Sequence, residues 1–364
     1  MVSWWLSIVS SILLLSSTPT PDARPFQRGG WVNLGSNGSP ITAIGLAASS
    51  PRTVYASTER AGEVYRTDDA GQSWMRAAGD LPGGPNGALI DFFPLVVDPA
   101  NPLTSFIGWR EKFLPPFSQL GRTMLYRTLD GGSAWQPLPV EAGPIVIDPS
   151  ASVLYLGTSV GVRHSDDLGT TWGPPSGPGN VADLALDVSN PSAVYAASSS
   201  LGVFGSRDGG ASWTSVSAGI GDGVSADSIA IDPGNPRVVY VSAGPLPLPS
   251  SRQLFKTVDA GATWSLVAGQ PSGDVMQVRV AASSPAAVYS LVRTVDGNRL
   301  FRSTDDGQSW ADVTANLPSP TLFEIAPGDP STVYAGTAEG LFVTTFLERP
   351  QAARPPARIL PIPR

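Results

Sequence analysis

The chain has 364 residues, with 30 Asp and Glu against 23 Lys and Arg, and no cysteine. The net charge of −7 is spread along its length, which argues against a nucleic-acid-binding face. The lack of cysteine excludes disulfides, thiolate metal sites, cysteine nucleophiles and lipidated-cysteine anchors. The 39 glycines and 36 prolines follow no collagen-like period, as in an all-β protein rich in turns.

The first element is the apolar run Trp4 to Leu15, followed by Ser16-Ser17-Thr18-Pro19. It is too short to span a bilayer and has the length of a secretory signal core, so residues 1–17 are expected to be a signal peptide, with an uncleaved anchor as the alternative. The protein is therefore expected to be secreted, periplasmic or at the cell surface, with no membrane span beyond this segment. Residues 18–29 are a linker, 30–346 a repeat domain, and 347–364 a Pro/Arg-rich tail expected to be disordered or polyproline-like.

The repeat domain carries six segments of one spacing: Thr67-x-Asp69-x-Gly71-x-Ser73-Trp74, Thr128-x-Asp130-x-Gly132-x-Ala134-Trp135, Ser165-x-Asp167-x-Gly169-x-Thr171-Trp172, Ser206-x-Asp208-x-Gly210-x-Ser212-Trp213, Thr257-x-Asp259-x-Gly261-x-Thr263-Trp264 and Ser303-x-Asp305-x-Gly307-x-Ser309-Trp310. Ala134 is the one departure, standing where a hydroxyl is expected. Successive aspartates lie 61, 37, 41, 51 and 46 residues apart, close to the roughly 40–45 residues of a four-stranded propeller blade. In such a turn the carboxylate accepts bonds from backbone N–H groups, the glycine permits positive φ, and the tryptophan buries its ring between neighbouring sheets. These aspartates (Asp69, Asp130, Asp167, Asp208, Asp259 and Asp305) are thus read as structural.

Other elements recur in phase. Strands such as Val54-Tyr55-Ala56, Val194-Tyr195-Ala196 and Val239-Tyr240-Val241 precede each box, with Phe106-Ile107-Gly108 in the second repeat. Proline turns such as Asn101-Pro102 and Asn190-Pro191 precede those strands, and apolar strands such as Ile229-Ala230-Ile231 come before the turns. The last repeat, from Thr321 to Phe346, runs out before a box. Trp31-Val32-Asn33-Leu34 reads as the missing strand, 43 residues before Trp74. The expected fold is an all-β, seven-bladed β-propeller of four-stranded antiparallel blades, closed by the N-terminal strand, which removes open sheet edges.

On these six boxes the chain resembles the Asp-box (bacterial neuraminidase repeat) propeller superfamily, with its sialidases, xyloglucanase-type glycoside hydrolases, sortilin-type receptor ectodomains and photosystem II assembly factors. The resemblance covers about residues 30–346 and speaks for fold, because the box itself carries no activity. A sialidase-like enzyme implies a Phe-Arg-Ile-Pro motif that Arg24-Pro25-Phe26-Gln27 does not match. A xyloglucanase-like enzyme implies paired aspartates between two propellers, and one propeller is visible here. The expected role is a non-catalytic binding or assembly scaffold for an unknown protein or glycan, acting as a monomer without cofactor or metal. A glycoside hydrolase or carbohydrate-binding protein, and a photosystem II assembly factor-like protein, are the alternatives.

The only histidine, His164, fills a slot where other repeats have Arg66, Arg127, Lys256 or Arg302, and is read as a strand residue. Candidate binding residues come from departures from the repeat. The largest is the blade-two insertion, whose Trp109, Arg110, Lys112, Phe113, Phe117 and Arg122 mix rings and cations as contact surfaces do. Gly83 to Gly87 lies nearby in sequence, and Pro245 to Pro249 forms a second insertion. Both insertions are placed on the face away from the boxes. A last departure is internal. Aligning inner strands on their proline turns puts Arg279 and Glu324 where other blades have Gly45, Val96, Val146, Ala185 and Ala230. Their pairing is expected, by bending or through channel water, because a lone charge there is costly.

Overall fold

The computed structural model describes residues 30–35, 39–59, 63–82, 89–112, 120–150, 153–221, 223–245, 251–283 and 286–346. The expected signal peptide, linker and tail lie outside them. Every regular element among the described residues is a β-strand, and the strands form seven antiparallel sheets in chain order.

Blade one holds β2 (Ile41–Leu46), β3 (Val54–Thr58), β4 (Val64–Thr67) and β5 (Met75–Arg76). Blade two holds β6 (Leu89–Val97), β7 (Ser105–Lys112), β8 (Leu120–Thr128) and β9 (Gln136–Pro137). Blade three holds β10 (Ile145–Ile147), β11 (Leu154–Thr158) and β12 (Gly161–Ser165), and blade four β13 (Val181–Leu186), β14 (Val194–Ser198), β15 (Gly202–Ser206) and β16 (Thr214–Ser215). Blade five holds β17 (Val224–Ile231), β18 (Val239–Pro245), β19 (Gln253–Thr257) and β20 (Ser265–Leu266), and blade six β21 (Asp274–Ala281), β22 (Ala287–Thr294), β23 (Gly297–Ser303) and β24 (Ala311–Asp312).

Blade seven joins β25 (Pro320–Ile325), β26 (Thr332–Thr337) and β27 (Gly340–Thr345) to β1 (Val32–Gly35), as the closure expectation requires. The tryptophans show why the join is specific. In three blades the indole N–H donates to a backbone carbonyl on or just beyond the fourth strand of the preceding blade: Trp74 to Leu34, Trp135 to Ala77 and Trp264 to Val216. Trp31 does the same to Val313 of blade six, at 2.9 Å. Its backbone N–H donates to Asn316 Oδ1, and its ring meets Phe346 edge-on. Phe346 also packs on Tyr289, beneath Arg302. Trp31 is therefore the box tryptophan of blade seven, supplied from the other end of the domain.

Blade three departs from the expected four strands. Its outer segment makes a single bridge, Val162 with Ser176, because Pro174 and Pro175 have no N–H to give a ladder. His164 lies in the third strand of this blade, opposite Tyr155.

The box turns repeat one hydrogen-bond pattern. In the first, Thr67 Oγ1 donates to Asp69 Oδ1 and accepts from the Gly71 N–H, while the Ser73 N–H and hydroxyl donate to the two carboxylate oxygens. Ala134 keeps the backbone bond to Asp130 and forgoes the hydroxyl one. The turn needs two consecutive left-handed residues, such as Ala70 (φ 61°) and Gly71 (φ 88°), where the sequence pointed to the glycine alone. The hydroxyl and N–H donors hold Asp167, Asp208 and Asp259 ionised down to about pH 2. Asp69 is lowered to about 2 as well, its burial being outweighed by bonds from Ser73 and Thr67.

Candidate functional site

The box turns bond to the proline turns of their own blades, as in Ala70 N–H to Arg52 O and Gly209 N–H to Ser192 O. Boxes and proline turns therefore share one face, and the inner strands start from the opposite face. Near that start an extra residue bulges β2, β6, β13, β17, β21 and β25. A bulge re-aims the side chains that follow it. Beyond the bulge, each inner strand pairs with the tyrosine or phenylalanine strand in the expected register: Arg279 opposite Tyr289, Glu324 opposite Tyr334, Ala185 opposite Tyr195.

The inner strands enclose a central channel of about 540 Å³, whose charged lining residues are Asp183, Arg279 and Glu324. Arg279 and Glu324 do meet directly: Arg279 Nη2 and Nε donate to Glu324 at 3.2 Å. The sequence reading missed Asp183, which accepts from Arg279 Nη1 at 3.4 Å and from the Ser228 hydroxyl and Ile229 N–H. Gln277 completes the arc, donating to Glu324 and to the Phe323 carbonyl while accepting from the Phe323 N–H. Asp183, Ser228 and Gln277 sit two residues upstream of the aligned position, on the same face of their strands, so period-two alternation was the signal that could have found them. Burial works against the charge on Arg279, but Glu324 and Asp183 outweigh it and raise its pKa above the ordinary arginine value. The arc spans blades four to seven. Blades two and three face it with Pro94, Val96, Pro144 and Val146.

The described ends of the blade-two insertion continue the ladder of β7 with β8. Strands β7 and β8 keep pairing through Trp109–Met124, Arg110–Thr123 and Lys112–Leu120. Trp109 is 5% exposed, packs with Tyr55, Phe92 and Trp135, and donates its indole N–H to the Pro82 carbonyl. This corrects the expectation that its ring offers a contact surface: strand alternation turns it into the seam between blades one and two. Arg110 lies over the Phe93 ring at 4.1 Å, and Phe93 lines the channel, so the hairpin reaches the channel mouth. Lys112 ends β7, and Arg122 lies in β8. Phe113, Phe117, Gly83 to Gly87 and the insertion beyond Pro245 lie outside the described residues. Among the described residues no group of three or more His, Asp or Glu side chains could hold a metal ion.

No protein-family model matches the chain. A xyloglucanase of Paenibacillus sp is 24% identical over 290 residues, covering 74% of this chain and 25% of that protein. The crystal structure of a xyloglucanase from Xanthomonas campestris superposes with a TM-score of 0.65 at 21% identity, over 86% of this chain and 53% of that one. The structure of YCF48 bound to D1 peptide superposes with a TM-score of 0.58 at 14% identity, over 88% of this chain and 97% of that one. What is shared at these identities is the fold. The chain spans about a quarter of the Paenibacillus relative and about half of the Xanthomonas structure, but nearly the whole of YCF48.

Proposed function

We propose that this chain is an exported, non-catalytic propeller that binds or assembles a partner through the face away from its box turns. The observation that carries the reading is the commitment of its acids. The box aspartates are bonded within their own turns, and both channel carboxylates are bonded to one guanidinium. Glycoside hydrolysis by retention or inversion needs two opposed carboxyl groups with the sugar between them. The match to nearly all of a single propeller solved with a peptide supports the same reading. Export follows from the apolar run Trp4 to Leu15.

The working surface is the blade-two hairpin, through Arg110, Lys112 and Arg122 together with Phe113 and Phe117, and without Trp109. The test immobilises the mature chain, records what it retains from the native secretome, and repeats this with Arg110→Ala and Gln308→Ala at unchanged thermal midpoints. The reading expects retention to fall with Arg110→Ala and persist with Gln308→Ala, which alters the box face. The reverse pattern overturns it.

A second reading, a glycan-active or glycan-binding protein, is favoured by the xyloglucanase alignment over three quarters of the chain. It expects soluble xyloglucan to bind at the channel mouth.

A further inference from the structure

We propose that the outer half of the seam between blades five and six is a built-in opening point of the ring, where β20 and the turn after it part from the box turn of blade six. The other seams show what holds such a joint. Six residues after its tryptophan, blade one has Asp80 and blade six has Asn316. Each side-chain oxygen accepts the backbone N–H of the next blade's tryptophan, Trp135 or Trp31. The indole of that tryptophan donates back across the seam, to the carbonyl of Ala77 or Val313. Blade four makes both bonds to Trp264 with backbone carbonyls, those of Ala218 and Val216.

Blade five has Gln270 at this place, and it faces the other way: Gln270 Oε1 accepts the Leu254 N–H of its own blade at 2.6 Å. The cause lies two residues earlier. In blades four and six the third-strand N–H groups of Val203 and Leu300 are taken by the Ser217 and Thr314 hydroxyls. Blade five has Ala268 there, so Gln270 takes that N–H instead, and Trp310 donates its indole N–H to Gly307 of its own box at 3.2 Å. The seam cation is short as well. Arg127 and Arg207 reach the next box carbonyl, of Leu168 and Ala260, at 2.7 and 2.8 Å, whereas Lys256 reaches that of Asp306 at 3.3 Å. A groove of about 290 Å³ is left between Lys256, Leu266, Val267 and Ala268 on one side and Asp306 and Gly307 on the other. Its walls forgo the contacts that a packed seam makes.

Two comparisons confine the opening to this place. Among the described residues the Trp172 indole also finds no acceptor across the seam between blades two and three, but Arg127 spans that seam with bonds to both Leu168 and Thr170. Nearer the channel, blades five and six are tightly stitched. Arg252 grips Asp274 through two side-chain nitrogens at 2.8 and 2.9 Å, and the Ser242 hydroxyl donates to the Val275 carbonyl at 2.6 Å. The outer half can therefore part while the inner strands stay closed, a local opening rather than loss of the ring.

The test is amide hydrogen exchange of the full chain, read by mass spectrometry, comparing residues 264–270 with the matching residues 74–80 of blade one after correction for intrinsic rates. The two segments carry the same backbone bond, Val267 N–H to Leu254 and Ala77 N–H to Val64. Exchange in 264–270 is expected to be at least about tenfold faster, the scale of two missing hydrogen bonds. Ala268→Thr/Gln270→Asn, which gives blade five the residues of blade six, is expected to slow it toward the blade-one rate. Should that double variant not fold, Lys256→Arg serves, and slower exchange is again expected. Equal exchange in the two segments, or faster exchange that neither variant slows, would overturn the proposal.

Discussion

Replacing Trp31 by alanine tests the closure of the ring at its most loaded point. The ring is 5% exposed, seated among Leu317, Phe342 and Phe346 between blades six and seven. A buried tryptophan removes about 150–250 Å² from water, which at about 25 cal/mol per Å² amounts to about 4–6 kcal/mol as an upper bound. The lost indole bond to Val313 adds about 1 kcal/mol. Aromatic truncations in well-packed cores cost about 3–5 kcal/mol because the site partly relaxes. We therefore expect a loss of about 4 kcal/mol, a large fraction of the about 5–15 kcal/mol that holds a typical domain together. Urea unfolding followed by far-UV circular dichroism measures it, with Val295→Ala, at a fully exposed tip, as the silent control. Deleting residues up to Gly35 should go further and leave β27 as an open edge prone to aggregation. A Trp31→Ala protein that unfolds within about 1 kcal/mol of the parent would refute the reasoning, since no buried tryptophan in a closed seam is that cheap.

Arg279→Met alone should cost about 1–3 kcal/mol, less than in a fully buried core because the three side chains are partly exposed, as it strands two carboxylates; adding Asp183→Leu and Glu324→Leu should restore most of it, measured by thermal unfolding. Trp109→Ala should cost about 3–5 kcal/mol, lowering the melting temperature rather than acting as a clean surface change. The box aspartates predict an acid transition. Their folded-state pKa values, about 2 for Asp69, Asp167, Asp208 and Asp259, lie below the ordinary 3.8. Their contribution is complete above about pH 4 and is lost as pH falls toward 2. A pH titration of the melting temperature that stays flat between 4 and 2 would contradict this.

Much of the fold was legible because the repeat is long, phased and chemically explicit. The six boxes, the tyrosine strands and the stray Trp31 together fix blade number and closure. Blade three's missing ladder was less visible, since its box is intact and only Pro174 and Pro175 betray the loss of donors. In the channel, aligning one position found Arg279 and Glu324 but not Asp183, two residues upstream in a different blade. The sequence cannot show that one long guanidinium reaches across that gap. Trp109 misled for a simpler reason: a tryptophan beside arginines has the composition of a contact loop, and only the continued pairing of β7 with β8 turns the ring inward.

The claim at the centre of this account is that the acids of the propeller serve its structure rather than bond cleavage. The direct measurement is release of reducing ends from xyloglucan by the purified chain at high concentration over a long incubation. The account predicts no release above the background of a heat-denatured control. Sustained turnover that disappears with Glu324→Gln or Asp183→Asn, in variants of unchanged melting temperature, would contradict it.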